Sequence, residues 1–404
     1  MNLTSEHLDW LKWISDPETQ NFILLNADRE TSELAFELAD FAQEKRSFIL
    51  NQISGRQKAK KKIPEFASVE NIIYPPKKSI EQSSSSITAL YKSSLFHGKT
   101  FLDLTGGFGV DSYHFSKNFE SVEVVEKSDI LFDLLKYNFS ILMVENCTFH
   151  CNDAVSFITK YDKKVDLIYI DPSRRSGDKR LLDIREYDPN ILELSKLLKE
   201  KAVNVLIKLS PVSDLRQIIK LIPNIVALTV VSVKNECREI LLHISGETHF
   251  SHDVLTIDLT PNLKREYKFN LNGENDIQLE HCDPKKYLYL PMTAVIKAGA
   301  FKSISRDFNV DKLAGNTHIY TSSSLLKDFP GKSFECIKTT TFNKKELRKN
   351  VDDKAFTIQC RNFPLKTEQV AQKLGISDYG ELHLLAYRNR FDKLQISIAR
   401  EITV

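Results

Sequence analysis

The sequence predicts an α/β fold: a mostly parallel sheet that closes in an antiparallel hairpin, with a helical region before it and α+β structure after it. Three observations carry this. Phe101-Leu102-Asp103-Leu104-Thr105-Gly106-Gly107-Phe108-Gly109-Val110-Asp111 reads as a short strand, a glycine-rich turn and the start of a helix near Asp111. From residue 100 onward, short apolar runs alternate with segments of helical periodicity, the pattern of a parallel sheet covered on both faces. Finally, the apolar runs 225–233 and 238–244 are separated by only Lys234-Asn235-Glu236-Cys237. That link permits a hairpin but no parallel crossover.

Composition narrows the class. The chain has 404 residues, enough for roughly two to four domains. A formal charge of +2 is nearly balanced, so contact with nucleic acid would have to come from local patches. The six cysteines (147, 151, 237, 282, 336 and 360) form no C-x-x-C pair, which argues for a reducing compartment and against a zinc site or a disulfide framework. Cys147 and Cys151, with His150 between them, read as a half-buried strand, and His249 and His252 as a loop pair; no metal is expected. The start Met1-Asn2-Leu3-Thr4-Ser5-Glu6 lacks the basic and apolar regions of a signal peptide. The most apolar run, 225–233, is too short to span a membrane. A soluble cytoplasmic protein is the expectation.

Taken in order, residues 1 to about 60 show helical spacing (Leu8, Leu11, Trp13, Ile14; Leu34, Ala35, Leu38, Ala39, Ala42). The basic run Arg56-Gln57-Lys58-Ala59-Lys60-Lys61-Lys62 reads as a solvated helix end or as a phosphate-contacting patch. Tyr74-Pro75-Pro76 and the polar residues through Ser86 read as a loop, followed by a helix at about 87–96. Strands are expected at 101–104, 122–125, 148–151, 165–170 and 203–209, with helices at 130–143 and 190–199. Asp188-Pro189 is expected to cap the second of these helices.

Four of those strands end in acids: Asp103, Glu126, Asp153 and Asp171. Open α/β sheets bind ligands at the carboxyl ends of their strands, so the four form a constellation. Glu126 lies 23 residues beyond Asp103 and suits ribose hydroxyls, although dehydrogenases place an acid similarly. Asp153 suits an adenine amino group. Asp171-Pro172-Ser173-Arg174-Arg175 follows the fourth strand; its arginines, with Lys179 and Arg180, either grip phosphate or form a solvated basic loop. No cysteine follows strand four or five, which argues against nucleophilic pyrimidine methylation. Lys92, Asp171, Lys208 and Glu239 occur in the order of the set used for ribose 2′-O methylation.

The glycine turn, led by Asp103, resembles the first motif of class I S-adenosylmethionine-dependent methyltransferases, acid-x-Gly-x-Gly-x-Gly. Here Thr105 stands at the first glycine, and Ser112 takes the third glycine position of the dinucleotide fingerprint. The antiparallel closing hairpin is the methyltransferase arrangement and not the dehydrogenase one. The resemblance extends to Tyr74-Pro75-Pro76-Lys77 with Glu81-Gln82-Ser83-Ser84, to Ala298-Gly299-Ala300-Phe301-Lys302, and to Arg361-Asn362-Phe363-Pro364-Leu365 through Lys373-Leu374-Gly375-Ile376. Together these are similar to bacterial methyltransferases with a ferredoxin-like segment and a THUMP-like domain at the C-terminus.

The resemblance implies a helical domain at 1–75, a Rossmann-like methyltransferase domain at 76–248, a ferredoxin-like segment at 249–326 and a THUMP-like domain at 327–404. It implies S-adenosyl-L-methionine as cofactor, contacted by Gln82, Ser84, Asp103, Thr105, Gly106, Gly107, Gly109, Asp111, Glu126 and Asp153. Asp171 would position or deprotonate the acceptor, and Arg174 and Arg175 would contact substrate. True THUMP domains bind RNA, so structured RNA (tRNA or rRNA) is the expected partner, with no membrane and no metal. Lys344, Lys345, Arg348 and Lys349 beside Phe342 suit either RNA or a solvated helix. The alternatives are a small-molecule or protein methyltransferase, a non-catalytic RNA-binding protein with a retained cofactor fold, and a dehydrogenase. In the C-terminal third, strands are expected at 254–259, 267–271, 287–290, 334–338, 355–360, 382–387 and 394–398, with helices at 294–301, 344–350 and 368–374. None of these is expected to join the parallel sheet.

Overall fold

A computed structural model describes residues 5–174, 184–222, 224–245, 252–351 and 354–402. The chain divides into two compact units: residues 1–226 with 241–249, and residues 227–240 with 250–404.

The first unit opens with helices α1 (Ser5–Ile14), α2 (Pro17–Leu25), α3 (Thr31–Glu37), α4 (Gln43–Lys62) and α5 (Pro64–Ala67). Ile14, Ile23, Leu34, Leu38, Phe48, Ile49 and Ile53 form one apolar cluster, in which Leu134 of a later helix also takes part. The loop expected after Pro76 is a helix, α6 (Lys77–Gln82), with Pro76 as its N-cap. Its C-terminal end is held by the basic run: Lys62 Nζ donates to the carbonyls of Ile80 (2.9 Å) and Glu81 (2.6 Å). Lys58 pairs with Glu81 and Lys60 with Asp28. A cation at a helix C-terminus satisfies orphan carbonyls and complements the helix dipole. Three of the five cations in this run are therefore bonded within the protein.

Helix α7 (Ser86–Ser94), capped by Ser85, leads into β1 (Gly98–Asp103), α8 (Val110–Phe115), β2 (Phe119–Glu126), α9 (Asp129–Ile141), β3 (Cys147–Cys151), α10 (Ala154–Lys160) and β4 (Val165–Ile170). A two-stranded ribbon follows, β5 (Ser173–Arg174) against β6 (Tyr187–Asp188). Then come α11 (Ile191–Lys201), β7 (Ala202–Leu209), α12 (Leu215–Leu221), β8 (Ile225–Val233) and β9 (Glu236–Ser245). Asn190, not Asp188, caps α11, accepting from Leu192 N at 3.1 Å. Arg175, Lys179, Arg180 and His249 lie outside the described residues, as does the side chain of Arg174.

The main sheet has nine strands in the order β11-β10-β8-β9-β7-β4-β1-β2-β3, where β10 is Asp253–Leu259 and β11 is Lys264–Asn270. Strands β3, β2, β1, β4 and β7 pair in parallel. The chain steps to β2 on one side of β1 and to β4 on the other, so the glycine turn sits at the switch point of the sheet. The link between β8 and β9 is two residues, tighter than the four expected: Lys234 (φ 51°) and Asn235 (φ 61°). Positive φ at both central residues is the type I′ signature that matches strand twist.

Two strands of the C-terminal third extend this sheet, contrary to expectation. β10 lies parallel to β8 and β11 antiparallel to β10. Asp258 explains part of the attachment: its Oδ1 accepts from Ser232 Oγ (2.7 Å) and from Asn235 N (2.8 Å) in the hairpin turn.

The rest of the second unit is built on an eight-stranded sheet. Its elements are β12 (Tyr287–Pro291), α13 (Thr293–Ala298), α14 (Ser303–Phe308), β13 (Asp311–Ala314), β14 (Thr317–Ser322), β15 (Gly331–Thr341), α15 (Lys344–Asn350), β16 (Ala355–Arg361), α16 (Thr367–Leu374), β17 (Ser377–Asp378), β18 (Leu382–Arg388) and β19 (Leu394–Ile402). The order is β13-β14-β12-β15-β19-β18-β16-β17. The helix expected at 294–301 ends at Gly299 (φ 81°), and β13 and β14 were not foreseen. Phe342, beside the basic helix α15, packs edge-on against Phe363 and joins an apolar cluster with Leu347, Phe356 and Leu384.

Candidate active site

The carboxyl ends of β1, β2, β3 and β4 lie side by side, and each supplies its acid. Asp103 closes β1 opposite Val124 of β2 and Tyr169 of β4. Glu126 closes β2 opposite Cys151 of β3. Asp171 follows β4 directly, and Asp153 stands two residues beyond the end of β3. The four acids are thus brought to one edge, but they do different things there.

Asp103 is 1% exposed and turned inward. Its Oδ1 accepts from Thr105 N (2.8 Å) and from the Thr105 hydroxyl (3.3 Å), and its Oδ2 accepts from Ser112 Oγ. Burial pushes this carboxyl up to about 7, against the pull of those hydrogen bonds and with a smaller push from the Asp111 and Asp171 charges. Thr105 in turn accepts from Asp171 N at 2.7 Å. One hydroxyl thereby ties the end of β1 to the end of β4, which a glycine at this position could not do. Ser112, at the other departure from the glycine patterns, supplies the hydroxyl that holds Asp103.

Three glycines of the turn have separate reasons. A Cβ on Gly106 would lie 2.7 Å from Val124 Cγ1, and one on Gly109 (φ 84°) 2.3 Å from Leu135 Cδ1 and 2.6 Å from Phe139 Cε2. These two let the turn pack on β2 and α9. Gly107 (φ 53°) is different: a Cβ there meets only Thr105 O, at 3.8 Å. Its N–H donates to Glu126 Oε2 (2.8 Å), and Ser128 N donates to Oε1 (2.8 Å). Each carboxylate oxygen of Glu126 therefore keeps lone-pair capacity for a further donor.

Behind the turn lies a buried ion pair. Lys92 is fully buried; its Nζ is 2.9 Å from Asp111 Oδ1 and donates to Ser84 Oγ (2.7 Å) and Tyr169 OH (3.3 Å). Asp111 Oδ2 accepts from Ser84 Oγ (2.7 Å) and Tyr169 OH (2.8 Å). Burial alone would raise the Asp111 carboxyl, but the charges of Lys92 and then Lys208 outweigh it and hold the group below the usual range. Ser84 and Asp111 are thus bonded to each other and to Lys92. Gln82 is exposed at the end of α6.

Asp171 pairs with Lys208 through Oδ2, and its Oδ1 makes no hydrogen bond with a described residue. Of the four-residue 2′-O set, Lys208 and Asp171 pair with each other, and Lys92 pairs with Asp111. Asp153 is exposed and caps α10, its Oδ1 accepting from Val155 N and Ser156 N at 3.0 Å. Tyr169, which sits in an apolar strand and carries no local signal of a role, reaches Asp111 through its hydroxyl. Among the described residues no cluster of His, Cys, Asp and Glu could hold a metal ion, and no helix is long and apolar enough to cross a membrane.

Comparison with known proteins agrees with this layout. A ferredoxin-like domain model matches residues 287–330 and a THUMP domain-like model residues 331–399. No curated protein matches the chain. Among solved structures, a candidate methyltransferase from Porphyromonas gingivalis W83 is 27% identical, covers 100% of both chains and superposes with a TM-score of 0.85. A candidate RNA methyltransferase from Pyrococcus horikoshii is 17% identical over 47% of this chain and 99% of its own, with a TM-score of 0.34. A candidate methyltransferase from Streptococcus mutans, in complex with SAH, is 12% identical over 39% and 95%, with a TM-score of 0.31. The chain thus has the architecture of the family it resembles, a methyltransferase-type sheet with a closing hairpin followed by ferredoxin-like and THUMP-like domains.

Proposed function

We propose that this protein is an S-adenosyl-L-methionine-dependent methyltransferase acting on structured RNA, tRNA or rRNA. The observation that carries the reading is the Gly107–Glu126 junction: a glycine of the turn where a Cβ would meet only Thr105 O, at ordinary contact distance, beside a carboxylate with spare acceptor capacity. That junction fits a nucleoside-bearing cofactor. Glu126 would hold the ribose hydroxyls, the N–H groups and carbonyls of 105–107 would line the approach, and Asp153 Oδ2 would accept from the adenine amino group. When bound, the cofactor supplies an electrophilic methyl group.

The chain's own part is positioning. Asp171 Oδ1 can accept an N–H or O–H from the group to be methylated, while Lys208 fixes the carboxylate through the other oxygen. Arg174 and Arg175 would contact substrate phosphate. The RNA reading rests on the THUMP-like match at 331–399.

The test is calorimetry with S-adenosylhomocysteine on the parent, Glu126→Ala and Gly107→Val, followed by methyl transfer to bulk tRNA and rRNA. Micromolar binding by the parent, lost in both variants, is expected. Asp171→Asn should keep that binding and lose transfer. No binding by the parent overturns the cofactor reading; binding without transfer to any RNA favours a protein that retains the cofactor fold without turnover.

A further inference from the structure

Two stretches singled out in the sequence, Ala298–Lys302 and Arg361–Leu365, take no part in the methyltransferase reading, yet the second unit brings them together. Phe301 stacks on His318 of β14, ring centroids 4.1 Å apart. Lys312 of β13 places Nζ 5.4 Å from the Phe301 ring. Arg361 closes β16, and the next residue, Asn362, donates through Nδ2 to Thr317 Oγ1, beside His318, at 3.4 Å.

The cluster is rich in positive charge and short of negative charge. Lys312 is 3% exposed, with its Nζ bonded to the carbonyl of Gly315 at 2.6 Å. Burial, followed by the Lys302 charge, outweighs the charge of Glu274 and lowers Lys312 to about 8. Glu274 is itself occupied: Oε1 accepts from Lys302 N, and Oε2 from Ser303 N and Ser303 Oγ. Burial and the charges of Lys312 and Arg361 drive His318 down to about 4, so its ring is neutral at pH 7. Its Nδ1 is buried without a hydrogen-bond partner among the described residues. A buried ammonium whose charge is disfavoured and an unpartnered ring nitrogen are both relieved by the same ligand, an oxyanion.

We propose that Lys302, Lys312, His318 and Arg361 form a phosphate-binding site in the second unit, with the cations supplying charge and the His318 ring a hydrogen bond. The phosphate is that of an RNA backbone or of a free nucleotide. The site stands whether or not the first unit transfers methyl groups.

The test uses the full chain labelled with 15N in its histidine rings, with the His318 signals assigned through His318→Gln. Inorganic phosphate should shift the His318 resonances and raise the pH at which they titrate. Lys302→Gln and Arg361→Gln should each weaken that binding about tenfold or more, one charge-assisted hydrogen bond being worth at least that factor. Both positions are only partly buried, so these variants should fold; Lys312→Met is the harsher companion. A short RNA that shifts His318 at lower concentration than phosphate assigns the RNA source, and a mononucleotide that does so equally well assigns the free ligand. A His318 spectrum indifferent to all three, or phosphate affinity unchanged in both glutamine variants, overturns the proposal.

Discussion

The Lys92–Asp111 pair allows the sharpest test of how the first unit is held together. Replacing Lys92 by Met keeps the aliphatic volume but removes a cation that touches Asp111, Ser84 and Tyr169 at once. Asp111 is left as a buried carboxylate with two hydroxyl donors. Breaking a buried pair from one side costs about 3–5 kcal/mol. The surviving Ser84 and Tyr169 bonds put Lys92→Met near the lower limit, about 3 kcal/mol, and Asp111→Asn, which takes the opposite charge from the ammonium, should cost a similar amount. The double variant removes both charges of the pair and should cost only about 1 kcal/mol, so the coupling comes to about 5 kcal/mol. Urea unfolding followed by tryptophan fluorescence reads the relevant part of the molecule, since Trp10 and Trp13, the chain's two tryptophans, both pack in the first unit. Additive single effects, with coupling under about 1 kcal/mol, would refute the view that these charges depend on each other.

Asp103 carries a pH signature of the opposite sign to an ordinary paired carboxylate. Its folded-state value, about 7, lies above the unfolded one, so the native state keeps a proton that the unfolded chain has lost. Stability should therefore fall as pH rises from about 4 to 7 and level off above, and Asp103→Asn should flatten that slope in urea midpoints measured across this range. The glycines should separate: Gly107→Ala costs only the strain of a positive φ, about 1–2 kcal/mol, whereas Gly109→Ala must also displace Leu135 and Phe139 and should cost visibly more in thermal melts. Lys62→Met uncovers the Ile80 and Glu81 carbonyls and should lower first-unit stability by about 1 kcal/mol, with no change in RNA affinity if this cation serves the fold.

Much of the fold was legible because the main-sheet strands carry their own signals. Residues 165–170 form β4 with the bounds expected from an apolar run ending in an acid, and 344–350 form α15 as its polar periodicity suggests. What failed was pairing. Nothing in Val254 to Leu259 says whether that strand lies in the first sheet or in the next one. Its place depends on Asp258 reaching Ser232 and Asn235, a contact across 23 residues or more that no local pattern encodes. The helix at 77–82 was hidden for a similar reason: its composition is that of a loop, and its last carbonyls are satisfied by Lys62 from another helix.

The four acids were legible as a group at the strand ends, but what each carboxylate binds was not. Four acids at four strand ends predict an edge where a ligand binds, and the strand register brings them there. Residue type cannot tell which carboxylates face outward, because an acid that organises a turn and an acid that holds a ligand occupy the same kind of position. The distinction comes from what each oxygen accepts. Asp103 accepts on both oxygens, from Thr105 and Ser112, Glu126 accepts on both from backbone N–H groups, and Asp171 leaves one oxygen without a bond to a described residue. The two departures from the glycine patterns, Thr105 and Ser112, supply the hydroxyls that bind Asp103. In this chain the imperfect match to the motif therefore has a physical reason: the hydroxyls that stand where the patterns have glycine hold the leading acid in place at the end of its strand.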